Sequence, residues 1–419
     1  MDSPALQLAM NRLLTVLVIL AAGTVCTQAA SRWRIPDVAL YLLAGVVLGP
    51  SVLGLIDVPV ASTFNQTVLL FGASFILLHG GMATSLQSLR QVWLTVTLLS
   101  TLGILITASV VALAVHLIFG IPLMLCFLLG SLLASTDPAA IVPILHQLPL
   151  SRRLSGAIIS ESAFTDATGA VLTVLVLTFV AGERPVSHLG LVYMFLRLTV
   201  GGALVGAAVG AVAAYLLSSK SRVQLRAYPS LLILMAALAG YTLAQSVSAS
   251  GFMSVFVAGL VIGNTRHFSL SMLKQEDRQE ERERSMEGLS LLLRMLIFTL
   301  LGSQADIKEI LTYFLPAQLV VLCFVLVARP LTVVACLLPD RKAHWQVREI
   351  VFFSWVRETG VIAVTLVSVL ISAHVPDGHV FLSVTVLAIF TTLVFQASTT
   401  PLMARVLRLH EALASREAV

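Results

Sequence analysis

Charge is scarce in this sequence. Only 11% of its 419 residues are Asp, Glu, Lys or Arg, whereas 58% are hydrophobic and the mean hydropathy is +0.97. A chain of this length would ordinarily suggest several soluble domains, but no long polar segment remains to build one. Cysteine is scarce too. Cys26, Cys126, Cys323 and Cys336 all fall inside apolar runs with no metal-ligand spacing, and read as small buried hydrophobes. There is no phosphate-binding loop, no Rossmann glycine pattern, no HExxH zinc helix and no Gly-x-Ser-x-Gly nucleophile elbow. An ATP-driven pump would need a nucleotide domain, for which there is no room. The chain is therefore not read as an enzyme, and no cofactor is implied. The net charge of +5 does not point to nucleic acid, because the basic residues sit in short loops.

What is present is a series of apolar runs, each long enough to cross a hydrocarbon core of about 30 Å. Thirteen are expected: 11–30, 35–54, 66–84, 92–119, 121–148, 154–181, 189–218, 229–246, 250–265, 286–303, 309–338, 346–373 and 378–404. The first begins with Asp2 and no base before Arg12, which favours a retained helix over a cleaved signal peptide. Placing the N-terminus outside sorts the charges. Only Arg12, Arg184 and Lys308 then fall outside, four arginines (Arg197, Arg294, Arg329, Arg357) lie within spans, and the other 19 of the 26 bases fall on the inner loops and tail. This positive-inside asymmetry predicts a multi-pass protein with a cytoplasmic C-terminus, in a bacterial inner membrane with lipid as its surroundings. The organisation expected is one transmembrane unit: a first helix (11–30), a first part (35–265), a charged linker (266–285), a second part (286–404) and a short tail (405–419). The run Lys274–Glu287 reads as a solvated cytoplasmic linker or short helix.

Carboxylates interrupt this pattern where a membrane helix should have none. A carboxylate in hydrocarbon is expensive, so each one marks a candidate functional site. Span five holds Ser135-Thr136-Asp137-Pro138 followed by Pro143. Pro138 removes a backbone donor and clashes with the preceding turn, so a break near 135–143 is expected. Unwound backbone at that depth must be buried in protein or line a cavity. Span six holds Glu161-Ser162-Ala163-Phe164-Thr165-Asp166. Ser162 and Asp166 are one turn apart and share a helix face, as do Glu161 and Thr165. Hydroxyl plus carboxylate on one face suits a proton or a hard monovalent cation, with a structural polar seam as the alternative. Span twelve holds Arg357-Glu358-Thr359-Gly360, with a second break expected near 355–360. An arginine at mid-membrane needs an anionic partner. Glu161 and Glu358 are the candidates, Glu161 foremost, and Arg357 is expected to fix the two broken regions rather than to bind the ion. His79 in span three reads as a satisfied core group, with a proton relay as the alternative. Arg197, Arg294 and Arg329 have no acid nearby in sequence and receive no role.

A faint repeat relates the two parts. Gly81 to Leu89 and Gly302 to Ile310 share the pattern Gly, four residues, Leu/Ile, two residues, Leu/Ile. Asp137 lies 56 residues after Gly81, and Arg357 lies 55 after Gly302. Seven spans separate the halves, so they face opposite ways, which is the construction of many secondary transporters.

These motifs together resemble the monovalent cation–proton antiporter superfamily over nearly the whole chain. Ile35-Pro36-Asp37 through Gly49-Pro50-Ser51-Val52-Leu53-Gly54 resembles the family's second helix. Ser135-Thr136-Asp137-Pro138 resembles its first crossed, unwound helix, and Arg357 stands where the family carries an arginine in the second crossing. Glu161 to Asp166 resembles the motif Glu-Ser-x-x-Asn-Asp, with Thr165 in place of Asn or Asp. His79 stands where several relatives have an acid, and the glycine pattern around Arg357 differs. The resemblance implies an all-α antiporter fold with inverted repeats and two crossed discontinuous helices. It also implies a homodimer, a moving core, and ion binding at Asp166, Asp137, Thr136 and Ser162. No nucleotide-binding regulatory domain follows the last helix.

The activity expected is exchange of Na⁺, Li⁺ or K⁺ for H⁺ by alternating access, with potassium efflux as a variant. A channel or ion sensor on the same scaffold is the alternative of another class. Thr165 cannot carry charge, so a single exchangeable carboxylate is expected in span six, and with it electroneutral one-for-one exchange.

Overall fold

The computed structural model describes residues 4–33, 35–137, 142, 144–145, 148–181, 188–218, 228–265 and 276–409. Among the described residues there are helices and no strand. Among the described residues, nine helices are long and apolar enough to cross a membrane. These are α1 (Leu6–Trp33, within Pro4–Trp33), α3 (Thr63–Ala83), α4 (Leu86–Phe119), α6 (Arg152–Val180), α7 (Val192–Leu217), α8 (Pro229–Ser246), α10 (Ser285–Ser303, within Glu276–Ser303), α11 (Ile307–Leu337) and α14 (Gly378–Val406). Shorter apolar helices are α2 (Asp37–Leu48), α5 (Leu123–Leu133), α9 (Gly251–Gly263) and α13 (Val361–Ser372), and α12 (Val347–Trp355) precedes α13. Each of the thirteen expected spans thus contains a helix, and span twelve contains two.

Local chemistry sets the boundaries. Ser62, Ser85, Ser151, Ser250 and Asp306 cap α3, α4, α6, α9 and α11, each side chain accepting from a backbone N–H of the first turn. Such caps satisfy donors that the first turn leaves without an intrahelical partner. α5 ends after 11 residues, about 17 Å of rise, well short of a bilayer core. Span twelve breaks between Trp355 and Val361, where a second break was expected. Pro138 and Pro143 lie outside the described residues. Of the charged run 274–287, Glu276 onward is helical and continues unbroken into the apolar part of α10.

Glycines show which helices pack most closely. Gly45 and Gly302 bring α2 and α10 into backbone contact, and Gly81, Gly259 and Gly263 do the same for α3 and α9. Gly202, Gly206 and Gly210 join α7 to α9, Gly23 joins α1 to α10, and Gly240 joins α8 to α9. A second set links α4 with α5 through Gly130, α4 with α11 through Gly103, and α4 with α6 through Gly156. Among the described glycines no such approach joins one set to the other. The helices therefore form two packing groups: α1–α3 with α7–α10, and α4–α6 with α11–α14. The second group is held by its own polar cross-links, such as Thr107 Oγ1 to Thr332 Oγ1 at 2.9 Å between α4 and α11. The segments that connect the groups are clamped in matching ways. Asn264 accepts from Leu86 N and donates to Thr84 O between α3 and α4, whereas Ser51 donates to Ala305 O and accepts from Ile307 N between α10 and α11. These are the two ends of the repeat read from sequence.

The close α2–α10 contact gives a direct check. A side chain at Gly302 would run into Leu42 O and the backbone of Gly45 and Val46. Gly302→Val should force the pair apart and destabilise by about 1–3 kcal/mol, read as a lowered melting temperature in detergent. An unchanged melting temperature would mean the pair is not tightly packed.

Candidate ion-binding site

Two segments of unwound backbone cross inside the second group. The first follows α5 at Ser135-Thr136-Asp137, and the second is Val356–Gly360 between α12 and α13. Asp137 N–H donates to Glu358 O at 2.9 Å where they meet. Gly360 sits against the Asp137 carboxyl with no room for a Cβ. Its φ of −142° is ordinary extended backbone, so close approach, not conformational freedom, requires glycine here.

α6 passes beside this crossing. Asp166, only 4% exposed, accepts from Ser135 Oγ at 2.8 Å through Oδ1. The Thr136 and Thr165 hydroxyls lie 2.6 Å apart, and Thr165 also donates to Ser162 O at 3.1 Å. The Thr165 proton is thus committed to Ser162 O, so Thr136 must be the donor to Thr165. Ser162 and Asp137 are buried beside them. The structure thus brings the Ser135-Thr136-Asp137 segment against Thr165 and Asp166 of α6, with Ser162 one turn before Asp166 on the same helix. It adds Ser135, whose hydroxyl reaches Asp166 directly. Ser135 stands next to Thr136 in an oxygen-rich run, and that adjacency was the available signal.

The arginines depart from expectation. Glu161 pairs with Arg329 and not with Arg357: Nη1 donates to Oε1 at 2.8 Å and Nη2 to Oε2 at 3.2 Å, with Arg329 fully buried. Arg329 Nη2 also donates to Val356 O at 3.1 Å, tying α11 to the second crossing, and its guanidinium lies over Phe353. Arg357 instead donates to Ala134 O at 2.6 Å and Leu133 O at 3.3 Å, and lies over the Phe324 ring. It caps the broken end of α5, where free carbonyls and the helix dipole favour a cation. The reason Arg329 was passed over is physical. A buried arginine needs an acid anywhere in the fold, not nearby in the chain. Glu358 is buried and its Oε1 accepts no hydrogen bond. His79 lies apart from these contacts in the first group, with Nδ1 3.2 Å from Ser290 Oγ on α10 and its ring stacked on Phe75.

Comparison with known proteins identifies the family. A family model described as the transmembrane sodium/hydrogen exchanger matches residues 16–406. The chain belongs to the sodium/hydrogen exchanger family. It is thus an integral multi-pass membrane protein of a transporter family, and its fold is that of the cation–proton antiporters. The solved sodium proton antiporter MjNhaP1 of Methanocaldococcus jannaschii at pH 8 superposes with a TM-score of 0.82 over 96% of this chain and 99% of that one, at 23% identity. A K⁺/H⁺ antiporter NhaP of Alkalimonas amylolytica is 29% identical over 407 residues, covering 94% of this chain and 67% of the relative. A probable Na⁺/H⁺ antiporter of M. jannaschii is 27% identical over 331 residues, covering 75% and 74%. The exchanger spans about two thirds of the length of the K⁺/H⁺ relatives it matches.

The two arginines should behave differently. Arg329→Met leaves the Glu161 charge buried without its partner, at about 3–5 kcal/mol. Arg329→Met/Glu161→Gln should recover most of that loss in detergent melting temperature. Equal instability of the single and double variants would refute the pairing as the cause.

Proposed function

We propose that this exchanger binds one monovalent cation, or one proton in its place, at Asp166, with Ser135, Thr136, Asp137 and Ser162 supplying the remaining oxygens. The observation that carries this is the bond from Ser135 of the unwound strand to the Asp166 carboxylate on α6. A carboxyl out of water must be neutralised, either by a proton or by a cation that brings its own charge. Hydroxyl, carbonyl and carboxylate oxygens suit hard cations, and unwound backbone has carbonyls to offer. Thr165, Glu161, Arg329, Arg357 and Glu358 act as support. Arg329 offsets Glu161, and Arg357 offsets the broken end of α5.

Cation and proton then compete for one carboxyl, and whichever is bound crosses. One charge moves each way, so exchange is electroneutral. Na⁺ is the cation proposed first, with Li⁺ or K⁺ as alternates. K⁺ gains support from the potassium/proton relatives. The protein is placed in a bacterial inner membrane, N-terminus outside and C-terminus inside, as a homodimer in lipid, with no cofactor. In support of this orientation, the start of α3, the segment after α10 and the end of α13 are hydrogen-bonded together, and Arg153 of α6 pairs with Glu349 of α12 at 2.5 Å, bases and acids that the charge pattern assigns to the inner side.

Proteoliposomes loaded with a pH-sensitive dye test the reading. An imposed pH gradient should collapse only when Na⁺, Li⁺ or K⁺ is offered, at a rate unaffected by membrane potential of either sign. Asp166→Asn should insert and melt like the parent and exchange nothing. Exchange surviving in Asp166→Asn would remove Asp166 from the site, and current without counter-ion would make the protein a channel.

A further inference from the structure

The two packing groups meet along α6, which packs on α9, and along α13, which belongs to the second group but lies against α3 of the first. Its hydrogen bonds to α3 are concentrated at one end. Asn65, fully buried in the first turn of α3, donates from Nδ2 to Ser368 Oγ at 3.0 Å and to Val60 O at 2.7 Å. Gln66 Nε2 lies 3.0 Å from Ser368 Oγ and 2.8 Å from Ser372 Oγ. Gln304, just after α10, donates to Asn65 Oδ1 at 2.9 Å. The amides of Asn65 and Gln66 thus converge on two hydroxyls of α13, and Gln304 holds Asn65 in place.

No charge takes part, so neither proton nor cation drives this contact directly. Neutral hydrogen bonds of this kind contribute modestly and can be broken and remade. The helix they hold is not a bystander. α13 begins at Val361, next to Gly360, which packs on Asp137. Ser368 lies about 12 Å further along the same helix. Displacing the Ser368 end of α13 from α3 therefore displaces the crossing with it. With the N-terminus outside, Asn65, Gln66, Gln304 and Ser372 all lie at the outer end of their helices.

We propose that Asn65, Gln66 and Gln304 with Ser368 and Ser372 form a latch that closes the outer side of the ion site, and that it must open once in each transport cycle. This rests on the antiport reading and on the orientation proposed above. The latch sets which face the site serves; Asp166 sets what it binds.

Two variants of the full chain in proteoliposomes test it. Ser368→Ala removes the hydroxyl that Asn65 and Gln66 share, without touching the ion site. The cation KM measured from the outer face should fall by about three- to tenfold relative to the inner face. In Gln66→Cys/Ser372→Cys, oxidation should stop exchange and reduction should restore it, with each single cysteine variant indifferent to both treatments. An unmoved ratio of outer to inner KM in Ser368→Ala, or parental exchange in the cross-linked protein, would overturn the proposal. Failure of the ion-site reading looks different: exchange would survive Asp166→Asn whatever the latch variants do.

Discussion

Backbone that leaves the helical state inside a membrane must find its hydrogen bonds within the protein. Here two such segments cross, and nearly every feature around them answers that demand. Each supplies the other at Asp137 N–H to Glu358 O. Arg357 takes the carbonyls at the end of α5, Arg329 takes Val356 O, Thr392 accepts from Thr359 N, and Gln396 donates to Trp355 O. The partners come from α11, α12–α13 and α14, so the second packing group exists as a unit largely because the crossing needs all of them. Its interior polarity is a consequence of the break.

That same break makes transport chemistry available. An intact helix keeps its carbonyls for itself, whereas the ends of a broken one offer oxygens to an ion. On the proposed reading, structure and transport draw on different acids. Glu161 is held by a fully buried arginine, and that arginine also holds the crossing backbone. Asp166 has hydroxyl company instead, which leaves its charge to be met by whatever enters. The first packing group contributes rigidity: its glycine contacts bring backbones together and leave no slack between α2 and α10 or α3 and α9.

Much of this was legible in the sequence because expensive residues have few reasons to be there. Acids and proline in an apolar run located the first break, and Arg357 with Gly360 located the second. The spans followed from hydrophobic runs, whereas the serine and aspartate caps that end them emerge from the structure. What escaped was pairing over long separations. Arg329 and Glu161 stand 168 positions apart, and only the packing of α11 across α6 joins them. Ser135 against Asp166 was hidden for the same reason, since an unwound strand has no periodicity from which to read its facing side. The need for glycine at position 360 was hidden as well, because it is a matter of space beside Asp137, a residue of another span.

If Asp166 takes a proton or a cation in turn, then binding one must expel the other. The direct measurement is proton release on cation addition to the purified protein in weakly buffered detergent, followed with a pH-indicator dye alongside calorimetric titration of the cation. One proton should leave for each cation bound, and the apparent cation affinity should weaken as the pH falls. Cation binding with no proton released, or with an affinity indifferent to pH, would contradict competition at a single carboxyl.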